Sequence, residues 1–338
     1  MSQVTIYYNQ DCQKHTNSFV TVAGILGLIT LENAIKRGVI DRYTLGFAAL
    51  SYIIYNHWIP ERPFRTKKFL TKYLGKEGYD FFQPKHASEE DILRFHDQAL
   101  LHRVKFPRLD SRFLVVLNEV NNQTYDSAMA SAGIAIKAAE SALEERAKGL
   151  HFGLTRPPGH HATRRKSSGF CYFNNMNIAL LNLLAKRKVG RALVIDFDAH
   201  YGNGVDDLAK EDERVDYIHF PRIESERSGQ YLSRMNRALR KIPRDEYDII
   251  GICAGFDNHE GSDLPVLIWG LGKFMNNGTG VSAFLNDPDY KEIGYLLKEL
   301  SDRVTGGKVF AILEGGYHPT LHTTIDSFCS AFRCKYRV

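Results

Sequence analysis

Apolar positions fall into two regimes along this 338-residue chain. Residues 4–8 predict a first strand, and residues 16–57 a hydrophobic, helical segment. Helices are predicted over residues 65–74 and over residues 88–101, where Ser88 precedes Glu89, Glu90 and Asp91 as a cap with an acidic first turn. The Ala-rich stretch 126–148, with apolar residues at helical spacing, predicts another. From about residue 150 the pattern changes. Four short apolar runs each end in a polar cluster: 153–161 at His160 and His161, 192–200 at Asp196, Asp198 and His200, 248–257 at Asp257, and 309–317 at Tyr317. Such runs, bounded by turn residues, read as buried strands of a parallel sheet. Their alternation with helical stretches, including 290–300, puts helices on both faces. The expected fold is α/β, a single domain over residues 1–338 with a central, mostly parallel sheet and a helical insertion at about 16–57.

Composition changes this picture little. Apolar content of 43% and charged content of 25% are ordinary for a globular chain. The net charge of +5 is mild and dispersed, so no direct nucleic-acid binding is expected. Five scattered cysteines without CxxC spacing fit free thiols in a reducing cytoplasm. The N-terminus lacks the basic and apolar regions of a signal peptide, so none is expected there. The apolar stretches 19–31 and 44–55 are shorter than the ~20 residues of a membrane span, so they read as buried or interfacial helices rather than transmembrane segments.

The polar clusters carry the chemistry. In an open α/β sheet, ligands bind beyond the carboxyl ends of the strands, so these distant residues should meet at one rim. Asp198 and His200 are two apart on an extended segment and face one side. With Asp257 from another strand end they make an oxygen–nitrogen–oxygen donor set of the kind that holds a catalytic zinc with a position open for water. His160 and His161 should point in different directions. One can take a proton from water, and the other can stabilise charge or protonate a leaving amine. Asp196 and Asn203 are plausible partners to fix their tautomers. Tyr317 follows two glycines that allow a tight turn, and its phenol suits an oxyanion. Gly169 and Phe170 suit a narrow apolar channel for an alkyl chain.

Five blocks then make a specific resemblance: Arg-Pro-Pro-Gly-His-His-Ala at 156–162, Gly-Phe-Cys-Tyr-Phe-Asn-Asn at 169–175, Asp-Phe-Asp-Ala-His-Tyr-Gly-Asn-Gly at 196–204, Ala-Gly-Phe-Asp at 254–257 and Leu-Glu-Gly-Gly-Tyr at 313–317. In order and spacing they resemble the signature blocks of the zinc-dependent histone deacetylase family, which has the arginase/deacetylase fold. Residues 59–63 and 92–97 resemble earlier blocks, so the resemblance spans roughly residues 58–318. It implies zinc ligands Asp198, His200 and Asp257, His161 as general base, and His160 as its companion paired with Asp196. Tyr317 would polarise the amide carbonyl, and Gly169 and Phe170 would line the acyl-lysine tunnel. It also implies a potassium ion near Asp196, Asp198 and His200, held mostly by backbone oxygens, with the other contributors near residues 217–220. The chain departs from the family pattern in four places: Tyr201 where a second histidine is usual, Asn203 where many members have Asp, the segment 265–289, and the insertion at 16–57.

The expected activity is removal of an acetyl or other acyl group from the ε-amine of lysine in a protein or peptide. Acetylated polyamines or other small acylated amines are the alternative. Glu260 would favour a cationic substrate, whereas Arg164, Arg165 and Lys166, if they face the mouth, would oppose a polycation. Binuclear ureohydrolases share an Asp-Ala-His step but need further carboxylates, and here Tyr201 and Gly202 follow it. A non-catalytic reader would be expected to lose a ligand or the tyrosine, and all are present. The 16–57 segment is expected beside the active-site mouth, as a lid or as a homo-oligomer contact.

Overall fold

The computed structural model describes residues 3–14, 63–106, 123–144, 149–261 and 284–333. The predicted insertion at 16–57 therefore lies outside the described residues, as does most of the divergent segment 265–289. Seven parallel strands form one sheet: β1 (Gln3–Tyr7), β2 (Tyr79–Phe82), β3 (Gly149–Gly153), β4 (Ala192–Asp196), β5 (Val215–His219), β6 (Ile249–Ala254) and β7 (Val309–Leu313), in the spatial order β2-β1-β3-β7-β6-β4-β5. Three of the four apolar runs foreseen as strands are the central β4, β6 and β7, buried along their full length, whereas the run 153–161 begins where β3 ends and continues as a loop, its prolines and glycine leaving the ladder. The edge strands β2 and β5 are only partly buried and carry no uninterrupted apolar run.

Among the described residues the helices are α1 (Pro63–Tyr73), α2 (Glu89–Leu93), α3 (Gln98–Lys105), α4 (Thr124–Ser141), α5 (Asn175–Ala185), α6 (Asn203–Glu211), α7 (Ser228–Leu239), α8 (Asp287–Val304) and α9 (Leu321–Arg333). Strand side chains alternate between two cores. Leu193 and Ile195 pack with α1, α7, α8 and α9, while Ala192 and Val194 pack with α2 to α6. This is the covered parallel sheet that the hydrophobic pattern predicts.

The helix predicted over residues 88–101 is two helices. Ser88 caps α2 as expected, its hydroxyl accepting from the Asp91 N–H while the Asp91 carboxylate accepts from the Ser88 N–H. The chain then leaves the helix because tertiary bonds outbid helical ones: Asp97 N–H donates to Arg164 O at 3.1 Å, and the ring of His96 turns inward. The Ala-rich helix α4 ends at Ser141, short of the predicted 148. Helix α8 starts ahead of the predicted 290 because Asn286 and Asp289 form a capping box with a proline in the first turn.

Strand register gathers the site. Asp196 pairs with His219 on β5 and with Cys253 on β6, and Ala254 pairs with Leu313 on β7. The strands therefore end level, and the residues just beyond them share one rim.

Candidate metal and acid–base centre

The structure brings all ten sequence-predicted site residues to this rim. Asp198 and Asp257 are buried, and both meet His200. His200 Nδ1 lies 3.2 Å from Asp198 Oδ1 and 2.7 Å from Asp257 Oδ2. Backbone donors fix the other carboxylate oxygens: Gly315 N–H donates to Asp198 Oδ2 at 2.9 Å, and Ala199 N–H to Asp257 Oδ1 at 3.0 Å. Asp257 Oδ2 is buried, with the close approach of His200 Nδ1 at 2.7 Å as its polar contact.

Electrostatics agrees with that geometry. Burial, reinforced by the neighbouring Asp198, raises Asp257 above its ordinary carboxyl value. Burial would also raise Asp198, but His160 and His200 outweigh it and hold it low. Burial would lower His200, but Asp257 and Asp198 push it well above an ordinary imidazole. Two buried carboxylates converging on one imidazole nitrogen form a strongly negative pocket, which calls for a cation. One donor atom from each of Asp198, His200 and Asp257 lies within 4.8 Å of the others. One nitrogen and two oxygens fit a divalent zinc ion and leave coordination positions open.

The histidine loop is held from three sides. Ser131 Oγ and Asn175 Nδ2 donate to Pro157 O, Glu314 Oε2 accepts from Gly159 N–H (2.7 Å) and His160 N–H (3.1 Å), and His160 O accepts from Gly204 N–H. His160 points inward, its Nδ1 3.2 Å from Asp196 Oδ2. His161, partly buried, turns the other way and places Nδ1 2.9 Å from Asn203 Oδ1. An amide oxygen only accepts, so Nδ1 of His161 carries the proton and Nε2 is left as a base. Burial would lower the His160 pKa, but Asp198, Asp196 and Glu314 raise it to about 10. Burial, together with the neighbouring His160, lowers His161 to about 3.

Tyr317 is buried, and its ring centroid stands 6.1 Å from that of Phe170. Gly316, at φ +138°, makes the turn that delivers it, a conformation side-chain-bearing residues rarely adopt. Gly169 also has positive φ, and a Cβ there would lie 2.3 Å from His161 Cδ2. Only glycine lets the wall come this close to the imidazole. Two residues of the basic run behind it are paired: Arg164 with Glu211, and Arg165 with Asp97 at 2.9 Å.

Two partners went unpredicted. Tyr217 OH donates to Asp196 Oδ2 at 2.9 Å, completing the clamp on the His160 partner. Glu314 anchors the histidine loop through its backbone, and its pKa rises to about 7 because burial outweighs the lowering effects of His160 and two N–H donors. Glu314 had a signal, a carboxylate at the end of a fully apolar strand, whereas Tyr217 sits in an edge strand without one. Cys12, Cys171, Cys253 and Cys329 are buried thiols. No described helix is long and apolar enough to cross a membrane.

A parallel α/β sheet with acidic and imidazole groups at its carboxyl rim defines the class, and comparison with known proteins shows which family it resembles. Residues 59–225 match the model of the histone deacetylase domain. A probable deacetylase of Methanothermobacter thermautotrophicus is 29% identical over 302 residues, covering 80% of this chain and 84% of that protein. The polyamine deacetylase HDAC10 of Danio rerio is 28% identical over 267 residues, 70% of this chain and 38% of its own length. The solved HDA15 HD domain superposes with a TM-score of 0.71 at 18% identity, covering 98% of this chain and 90% of that one, and supports the fold. Over these residues the chain is similar to the histone deacetylase family. Asp257 and Tyr317 lie beyond the matched segment, and the fold carries both to its centre.

Proposed function

We propose that this protein is a zinc-dependent amidohydrolase that removes an acetyl or other acyl group from the ε-amine of lysine in proteins or peptides. The observation carrying this reading is the meeting of three ligand-type side chains, Asp198, His200 and Asp257, beside an imidazole held as a neutral base. A zinc ion bound by these three would polarise the scissile carbonyl and lower the pKa of water to about 7. His161 Nε2 takes the proton of the attacking water, because Asn203 holds its Nδ1–H. His160, cationic between Asp196 and Asp198, stabilises the negative charge that develops. The Tyr317 phenol donates to the carbonyl oxygen as it becomes an oxyanion. Phe170 and Gly169 line the channel for the alkyl chain of the substrate. The proton held by the histidine pair returns to the leaving amine.

Acetylated polyamines use the same chemistry, and one relative is named a polyamine deacetylase. Pairing of Arg164 and Arg165 with Glu211 and Asp97 mutes the repulsion that a basic mouth would exert on a polycation. The deciding experiment assays the purified, zinc-loaded protein on acetyl-lysine peptides, longer acyl-lysine peptides and acetylpolyamines side by side. Turnover highest on acyl-lysine peptides supports the proposal. Turnover confined to acetylpolyamines transfers it to the alternative, and none on any substrate removes it.

A further inference from the structure

The resemblance places a potassium ion against the backbone oxygens of Asp196, Asp198 and His200, but the first two of those oxygens are already engaged by groups of the chain. His219, at the end of β5, reaches across with Nε2 2.9 Å from Asp198 O. A carbonyl only accepts, so this nitrogen carries its hydrogen and occupies a lone pair that a cation would need. Asp196 O accepts from Phe220 N–H at 2.8 Å. The Asp196 carboxylate is also engaged: Oδ1 accepts from Asp198 N–H at 2.9 Å, and Oδ2 accepts from Tyr217 OH and faces His160 Nδ1. Above His219 lies the ring of Tyr201, 5.6 Å away between centroids, at the position where the family usually has a second histidine.

We infer that His219 replaces the alkali ion in this chain: its imidazole N–H pins the Asp198 carbonyl, and Tyr201 shields it, so the loop carrying Asp198 and His200 is held without potassium. His219 is thus a positioning residue. Either the neutral Nε2–H tautomer or the imidazolium supplies the bond, so the device needs no particular charge state. The inference rests on the proposed metal triad only for what the loop holds, and its test requires no turnover.

The test is thermal unfolding of the full-length, metal-loaded protein at fixed ionic strength, with potassium chloride exchanged stepwise for tetramethylammonium chloride. Thallium(I) NMR serves as a direct probe for a bound monovalent ion. The parent should unfold at one midpoint throughout and give no bound thallium(I) resonance. A structural ion present at about a hundred times its dissociation constant would instead raise the midpoint by several degrees. In His219→Ser the carbonyl is released and a small oxygen ligand takes the ring's place, so the midpoint should fall and recover in potassium but not in tetramethylammonium. A potassium-dependent midpoint or a potassium-displaceable thallium(I) resonance in the parent overturns the inference. So does a His219→Ser protein whose midpoint matches the parent's in both salts. If His219→Ser does not fold, the parent measurements decide alone.

Discussion

His160 and His161 are chain neighbours with ring centroids 4.1 Å apart, yet the two walls of the site treat them oppositely. His160 faces carboxylates, Asp196 at 3.2 Å and Asp198 at 3.9 Å, and its pKa rises to about 10 although it is buried. His161 faces the amide of Asn203, and its pKa drops to about 3. Both rings are desolvated, so the partner sets the protonation state: a carboxylate stabilises imidazolium, and an amide only fixes a tautomer. In the proposed mechanism the contrast divides charge stabilisation and proton abstraction between two residues that composition cannot tell apart.

Replacing the base should break this comparison most severely. His161→Ala is expected to lower kcat by about 10²–10⁴ with metal content unchanged. A variant within a few-fold of the parent would mean the base lies elsewhere. Tyr317→Phe should cost about 10²–10³ in kcat while fold and metal persist. Parent-like turnover would mean the phenol does not meet the substrate carbonyl. Changing only the partner should cost less: about 10–100-fold for Asn203→Ala. Asn203→Asp sharpens the contrast, because a carboxylate at that position should raise the His161 pKa and move the acidic limb of the kcat/KM profile to higher pH. An unmoved limb would show that Asn203 does not control this imidazole.

The smallest effect concerns a third histidine away from the metal cluster. Burial lowers His96 to about 4, and its Nε2 accepts from Asn174 N–H at 2.8 Å. The unfolded chain protonates near pH 6.5, above the folded value. The contribution of His96 is therefore complete above about pH 6.5 and is lost as pH falls towards about 4, by at most about 1.4 kcal/mol per pH unit. His96→Gln keeps an acceptor for Asn174 but cannot titrate, so denaturant unfolding should show a shallower decline over that window. An identical slope would contradict the burial of a neutral imidazole there.

Much of this arrangement was legible in the chain because burial and chemistry coincide at strand ends. The runs of β4, β6 and β7 are apolar throughout, since both their faces are covered, and the polar residue that stops each run is the one the rim uses. Features built on distant contacts were not legible. The break at residues 94–97 depends on bonds from Asp97 to Arg164 and from Asn174 to His96, which local spacing cannot foretell. Tyr217 and His219 gain their roles from strand register, which sets them beside Asp196. The segment 16–57, with its lid and oligomer readings, lies outside the described residues and remains a proposal that shortening it, followed by acyl preference and light scattering, would test.

The central claim is that Asp198, His200 and Asp257 together hold one catalytic metal. Metal content measured beside turnover, for the parent and for His200→Ala, tests it most directly. The account predicts about one zinc per parent chain, with turnover lost on chelation and restored by zinc, and neither metal nor turnover in His200→Ala. A chelated, metal-free parent at full rate, or a His200→Ala protein with stoichiometric metal and parental activity, would contradict it.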